Sequence, residues 1–209
     1  MSDPSVFIID DDPSARQGLT RLVRAAGMNA ESFASAGEFL ASGNPDGPGC
    51  IVLDVRMPGM TGPELQEELC RSDYCMPIIF ISAHGDVPTA AQSMKRGAVN
   101  FLTKPVDGDD LQEAIHEALA RDAENRAQRA ERGSVNERIE KLSPREREVM
   151  TYVITGKLNK QIGGKLGISE ETVKIHRGRV MHKLGIGSVP ELVRICETAG
   201  IDPAERASQ

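Results

Sequence analysis

Four apolar runs in this 209-residue chain stop at side chains able to do polar chemistry. Val6 to Ile9 leads into Asp10, Asp11 and Asp12, Cys50 to Leu53 into Asp54, Ile78 to Ile81 into Ser82, and Val99 to Leu102 into Thr103, Lys104 and Pro105. If the runs are strands of one open parallel sheet, their carboxyl ends border a common crevice, and residues distant in sequence meet there. Three carboxylates at one place repel one another unless a cation lies among them. An oxygen-only donor set with room for water and a phosphate suits Mg²⁺ better than a softer metal. A carboxylate held in that way can attack a phosphoryl group, while the Lys104 ammonium and the Ser82 hydroxyl stabilise the oxygens in transfer. The product would be an aspartyl phosphate at Asp54. Each piece alone has an ordinary reading as a turn or a helix cap; the four strand ends together argue for a site.

The elements needed to bring these residues together are legible in the pattern. Short β-like runs alternate with segments at helical spacing, the signature of βα units around a parallel sheet. The expected strands are Val6 to Ile9, Asn29 to Phe33, Cys50 to Leu53, Ile78 to Ile81 and Val99 to Leu102. Helices are expected from about Pro13, beyond Ser35, near Pro63 to Cys70, near Val87 to Arg96, and through Leu111, Ile115, Ala118 and Leu119. The fold class that follows is α/β, a five-stranded doubly wound parallel domain of the flavodoxin-like kind, and it joins a small all-α domain.

The charge supports two parts. The whole chain carries −6, but residues 1 to 137 hold 12 Lys/Arg against 22 Asp/Glu, net −10, and residues 138 to 209 hold 13 against 9, net +4. A basic C-terminal part is compatible with phosphate-backbone contact, and equally with an unevenly charged surface. No stretch approaches the ~18 apolar residues of a membrane span, and the N-terminus lacks the features of a signal peptide, so a cytoplasmic protein is expected. The four cysteines, Cys50, Cys70, Cys75 and Cys196, show no CxxC or Cys/His cluster and read as reduced thiols.

The segments Ile8-Ile9-Asp10-Asp11-Asp12, Leu53 to Gly62 (Leu-Asp-Val-Arg-Met-Pro-Gly-Met-Thr-Gly), Ile81-Ser82-Ala83 and Phe101 to Pro105 (Phe-Leu-Thr-Lys-Pro) resemble the receiver domain of two-component response regulators. The resemblance implies that Asp54 accepts a phosphoryl group from a sensor histidine kinase. It further implies that Asp11, Asp54 and the Arg56 backbone carbonyl ligate Mg²⁺, that Asp10 acts mainly through water, and that Lys104 contacts the phosphoryl group. The peptide before Pro105 is expected to be cis. Ser82 and Phe101 occupy the family's switch positions, with Phe101 where Tyr is common; a plain core role for this ring is an equal alternative. Arg56 and His84 flank the expected phosphoryl position.

After the last receiver helix, Arg121 to Arg132 is rich in Ala, Arg and Glu, which favours helix. A semi-rigid helical linker is expected over 122–141 between a receiver at 1–121 and a second domain at 142–209, with an interruption near Gly133-Ser134 and a short helix through Val135 and Ile139. Ser143-Pro144-Arg145-Glu146 then opens a helix with an N-cap, a proline at the first position and a capping box. A short helix from Asn159 to Leu166, a stop at Gly167, and a longer helix capped by Ser169 and running to Leu184 make a helix-turn-helix pattern.

On a wheel of about 100° per residue, Val173, Val180 and Leu184 share an inward face, opposite Lys174, Ile175, Gly178, Arg179 and His182. Lys174 and Arg179 can donate to guanine edges or phosphates, Gly178 admits close backbone approach, and Ile175 can touch a thymine methyl. A solvated basic helix would have the same pattern. The sequences Leu142 to Val149, Asn159 to Ile162 and Ile168 to Arg177 look like the LuxR-type DNA-binding domain, and with the receiver they indicate a regulator of the FixJ/NarL type. The resemblance places Lys160 and Thr172 at phosphate contacts, and on the wheel Arg177 sits toward the core side, from which it is expected to reach the backbone rather than read a base. The resemblance also implies that the last helix, from Ser188 through Leu192, Val193 and Ile195 to Ala199, pairs two DNA-binding domains on inverted half-sites of double-stranded DNA, although a simple packing helix is equally consistent with its apolar face. A homodimer formed on phosphorylation through the receiver and contact with the transcription machinery are further expectations. Gly163-Gly164 departs from the family, and two glycines within a helix, at ~1 kcal/mol each relative to Ala, predict a soft scaffold helix.

Two other readings fit parts of the pattern. A phosphatase turning over through an aspartyl phosphate would carry a second Asp two residues after the nucleophile, where this chain has Arg56. A constitutive DNA-binding protein with an inert receiver would not need Asp11, Asp54 and Lys104.

Overall fold

The computed structural model describes residues 3–43, 47–71, 75–83 and 87–204. It divides into two compact units, one ending at Arg126 and the other beginning at Ala127.

In the first unit five strands, β1 (Ser5–Ile9), β2 (Asn29–Phe33), β3 (Gly49–Asp54), β4 (Ile78–Ser82) and β5 (Asn100–Thr103), pair in parallel in the order β2-β1-β3-β4-β5. Strands β3 and β4 are buried along their whole length, as expected for a sheet covered on both faces. Alternate side chains feed two cores. Val6, Ile8, Val52 and Ile81 face one side with Leu111 and Ile115, and Phe7, Ile9, Leu53 and Phe80 face the other with Phe39 and Leu65.

The helices of this unit are α1 (Pro13–Ala25), α2 (Ala36–Ala41), α3 (Gly62–Leu69), α4 (Val87–Lys95) and the first part of α5 (Gly108–Glu140). The strand order reverses direction between β1 and β3, so the loops after these two strands border the crevice of a doubly wound sheet. Asp12 is the N-cap of α1, its carboxylate accepting from the Ser14 amide at 2.8 Å. One of the three consecutive acids is therefore a helix cap.

The structure corrects two expectations. Helix α5 continues through Gly133 to Glu140 where an interruption was expected. Gly133 costs helix propensity but its Cα faces open space, and Val135 and Ile139 just beyond are buried in the core of the second unit. Packing of that apolar pair decides the local structure. Asp122 is likewise anchored, in the first unit: it is buried and accepts from the Gly49 amide at 3.0 Å and from Arg126 Nε at 3.0 Å. The second correction concerns thiols. Cys70 and Cys75 are joined by a disulfide, with Cα atoms 4.7 Å apart, whereas Cys50 and Cys196 are free and buried. Spacing alone did not reveal the pairing, because what brings the two together is the return of the chain from α3 to β4.

The second unit holds the end of α5, α6 (Pro144–Val153), α7 (Asn159–Leu166), α8 (Glu170–Leu184) and α9 (Val189–Ala199) around one core that includes Val149, Ile162, Val173, Val180, Leu184 and Leu192. The start of α6 is the expected capping box: Glu146 amide to Ser143 Oγ at 3.3 Å, and Ser143 amide to a Glu146 carboxylate oxygen at 2.8 Å. Glu146 also accepts from Lys183 Nζ at 2.7 Å. That hydrogen bond, with those from Ser143, outweighs burial and holds the Glu146 carboxyl below its ordinary value of 4.5. A carboxyl with a lowered folded pKa contributes stability above its unfolded value and loses that contribution as pH falls through the folded one. The second unit should weaken in acid from about pH 4.5 downward, and Glu146→Gln should flatten that fall in urea titrations at stepped pH.

Helix α7 is not uniformly weakened by its two glycines. A methyl on Gly163 would lie 2.6 Å from the Ile168 carbonyl oxygen, so this glycine lets the helix pack against the turn. Gly164 faces open space. Gly164→Ala is expected to stabilise the second unit by about 1 kcal/mol, which raises its melting temperature by several degrees. In calorimetry Gly163→Ala should give less than this gain or a loss.

Candidate phosphoacceptor site and DNA-binding face

The crevice beyond β1 and β3 collects the predicted acids. Asp10 and Asp54 are buried, Asp11 is exposed, and each offers one carboxylate oxygen with all three within 4.8 Å of one another. Asp10 is held in place: one of its oxygens accepts the Asp12 amide at 2.9 Å, and its carbonyl accepts Arg16 Nη1 at 2.6 Å. Lys104, in the loop after β5, enters from the far side, with Nζ 2.7 Å from Asp10 Oδ2 and 3.4 Å from Asp54 Oδ2. Its backbone amide donates to the Ser82 carbonyl at 2.8 Å, which ties that loop to the end of β4, and the Lys104–Pro105 peptide is cis.

Burial raises the Asp54 carboxyl above its ordinary 3.8; Lys104 opposes the shift, while Asp10 and Asp11 add to it. Burial lowers the Lys104 ammonium, but its hydrogen bond to Asp10 and the charges of Asp10 and Asp54 more than compensate, and its pKa is raised overall. The group is a compact arrangement of anions around one ammonium, with hard oxygen donors that fit a small divalent cation.

Ser82 is buried at the end of β4. Phe101, on β5, is half-buried with its ring centre 6.4 Å from that of Phe80. Arg56 is exposed in the loop after β3, and His84 lies outside the described residues. Gly62, the last residue of the motif that follows Asp54, has a spatial role. A Cβ there would sit 2.4 Å from the Asp54 carbonyl oxygen and 3.0 Å from the Phe80 ring, so α3 can start against the end of β3 only with glycine. Arg16 was also missed; nothing in its local sequence connects it to the Asp10 carbonyl six residues earlier.

On α8, Val173, Val180 and Leu184 are buried, whereas Lys174, Ile175, Gly178, Arg179 and His182 are exposed. Lys160 is exposed in the first turn of α7. Thr172 lies at the start of α8, its Oγ1 2.7 Å from Ser169 Oγ. Arg177 is half-buried and donates to Asn159 Oδ1 at 3.2 Å, so it links α8 to α7. Ile175 is 48% exposed on the same face as Lys174 and Arg179.

Comparison with known proteins agrees with this arrangement. Residues 6–116 match the response regulator receiver domain, and residues 140–196 match the bacterial regulatory proteins of the luxR family. The chain belongs to the response regulators, as a transcription regulator in which a receiver precedes a LuxR-type DNA-binding domain. Nodulation protein W of Bradyrhizobium diazoefficiens is 45% identical over 94% of this chain and 86% of its own length. The transcriptional regulatory protein FixJ of Azorhizobium caulinodans is 43% identical over 97% and 96%. Among solved structures, the response regulator StyR is similar, at 45% identity and a TM-score of 0.78 over 94% of this chain and 99% of that one.

Proposed function

We propose that this protein is a phosphorylation-gated transcription regulator that accepts a phosphoryl group on Asp54 from a sensor histidine kinase and then binds operator DNA as a dimer. The observation that carries the reading is the Asp54 carboxylate, set within a few ångströms of two further carboxylates and the Lys104 ammonium at the carboxyl edge of the sheet. Asp10, Asp11, Asp54 and the Arg56 carbonyl would hold Mg²⁺, which when bound offsets the negative charge gathered at the acceptor. The Asp54 carboxylate oxygen attacks phosphorus in line with the leaving group. Lys104, already within reach of Asp54, and the Ser82 hydroxyl stabilise the transferred oxygens.

The phosphoryl group adds about −2 of charge at Asp54. Lys104 then exchanges its hydrogen bond with Asp10 for one with the phosphoryl oxygens, Ser82 turns toward them, and the Phe101 ring follows into the space vacated. The altered surface favours a receiver dimer, which presents two α8 helices to inverted half-sites in the cytoplasm and recruits the transcription machinery. No helix among the described residues is long and apolar enough to cross a membrane. Apart from taking up and losing its own phosphoryl group, the chain performs no catalysis.

Incubation of the full chain with acetyl phosphate and Mg²⁺ tests the reading, followed by intact mass, light scattering and selection of duplexes from a random pool. The expected result is one added phosphoryl group, a dimer and tighter DNA binding. Equal DNA binding with and without phosphodonor would refute the gating. On the selected duplex, Lys174→Ala and Arg179→Ala are expected to weaken binding by about 1–3 kcal/mol each and relax discrimination. Lys160→Ala should weaken all duplexes alike and lower the salt dependence by about one counterion.

A further inference from the structure

We propose that Cys70 and Cys75 are a reversible redox pair, a surface modification site that a peroxide converts from dithiol to disulfide, clamping the end of α3 to the start of β4. Cys70 is the C-cap of α3 and is exposed; Cys75 is half-buried just before β4. Each is adjacent to an anchored side chain, since Leu69 and Met76 are both buried in the same core cluster. The 4.7 Å between the two Cα atoms is thus supported by packing on either side of the pair. The two cysteines stand only five positions apart in the sequence, so each presents its sulfur to the other at high effective concentration, which favours an intramolecular bond over pairing with another molecule.

The other two thiols provide an internal contrast. Cys50 and Cys196 are buried; burial, with Asp122 nearby, pushes the Cys50 thiol up to about 12, and burial, with Glu197 nearby, pushes the Cys196 thiol up to about 11. Neither offers thiolate to an oxidant. Chemistry at the surface pair is therefore selective. In the reducing compartment that the proposed DNA-binding role implies, an accessible cysteine pair rests as dithiol and becomes a disulfide only when oxidant rises.

With hydrogen peroxide the step balances. The Cys70 thiolate attacks one peroxide oxygen, the O–O bond breaks, and the departing hydroxide takes up a proton to leave water and a sulfenic acid. The Cys75 thiolate then attacks the Cys70 sulfur, the S–O bond breaks, and a second water leaves. Two thiols lose two electrons and two protons, and the peroxide is reduced to two waters.

The clamp acts on a helix with a particular position. Helix α3 begins at Gly62 against the Asp54 carbonyl and ends at the disulfide, and its inward Leu65 and Leu69 share a core with Val55 and Met57, which follow Asp54. Oxidation therefore holds more firmly the helix that backs the phosphoacceptor turn.

The full chain would be reduced with dithiothreitol, desalted, treated with hydrogen peroxide, unfolded in iodoacetamide and mapped by peptide mass. Cys70 and Cys75 are expected as one linked peptide, with Cys50 and Cys196 alkylated and dithiothreitol restoring all four. The oxidised protein should show slower amide exchange in the last turn of α3 and a higher melting temperature of the receiver. Cys70→Ser and, as a second variant, Cys75→Ser should show neither difference. Phosphoryl uptake at Asp54 plays no part in these readouts, so failure here is distinguishable from failure of the gating. The proposal is overturned if both cysteines stay alkylatable after peroxide, if they go to sulfinic acid instead, or if they link with no change in exchange or melting.

Discussion

Asp54→Asn is expected to take up no phosphoryl group from acetyl phosphate and Mg²⁺ and yet to melt at a higher temperature than the wild type in metal-free buffer. An amide lacks the anionic oxygen that attacks phosphorus, so the loss of uptake is complete. The gain in stability follows from the electrostatics of the site. Burial raises the Asp54 pKa above its ordinary 3.8, with Asp10 and Asp11 adding to the shift. A carboxyl with a raised folded pKa is a liability once ionised: stability falls as pH climbs from the unfolded value through the folded one. At neutral pH the wild type carries that cost and the Asn variant does not.

Calorimetry on both proteins, with and without Mg²⁺, separates lost chemistry from lost structure. Mg²⁺ should raise the wild-type receiver transition, by about 2.7 kcal/mol at a hundred times its dissociation constant, and do less for the variant, which retains two of the three carboxylates. A variant that melts lower and fails to take up phosphate would point to misfolding.

The second large effect is expected at Leu184. It is fully buried in the core of the second unit, and its carbonyl accepts Arg138 Nη1 at 2.9 Å just before Gly185 ends α8 in the left-handed conformation. Leu184→Ala removes this packing and leaves a cavity, at about 2–5 kcal/mol. At roughly 0.05–0.15 kcal/mol per residue, a unit this small has only a few such increments to lose. Its melting transition should fall by about 8 °C or more, and operator binding should fail near the new midpoint. The receiver has separate cores, so phosphoryl uptake at Asp54 should match the wild type. Loss of uptake in this variant would show that the two units do not fold independently.

What could be read from the chain depended on the range of the interaction responsible. Helices α7 and α8 have the bounds that their cap residues and glycine stops predict, because these act within a few residues. The membership of the candidate site was legible for a similar reason: a polar residue at the end of an apolar run lies at the carboxyl edge of a parallel sheet whichever strands are neighbours. The helical wheel of α8 correctly separated Val173, Val180 and Leu184 from the exposed basic face.

The continuity of α5 through Gly133 was not legible, since local propensity at a glycine was outweighed by burial of Val135 and Ile139 against residues well along the chain. Nor was the Cys70–Cys75 bond, or the close approach that requires Gly62. The sequence by itself determined which elements form and which residues stand at their ends, because short-range hydrogen bonds and hydrophobic periodicity specify both. Only the tertiary structure decided that Asp10 meets Lys104 at 2.7 Å and that Asp122 accepts from the Gly49 amide at 3.0 Å. Those outcomes depend on distances between segments far apart in the chain, and such distances are set by packing of the whole core.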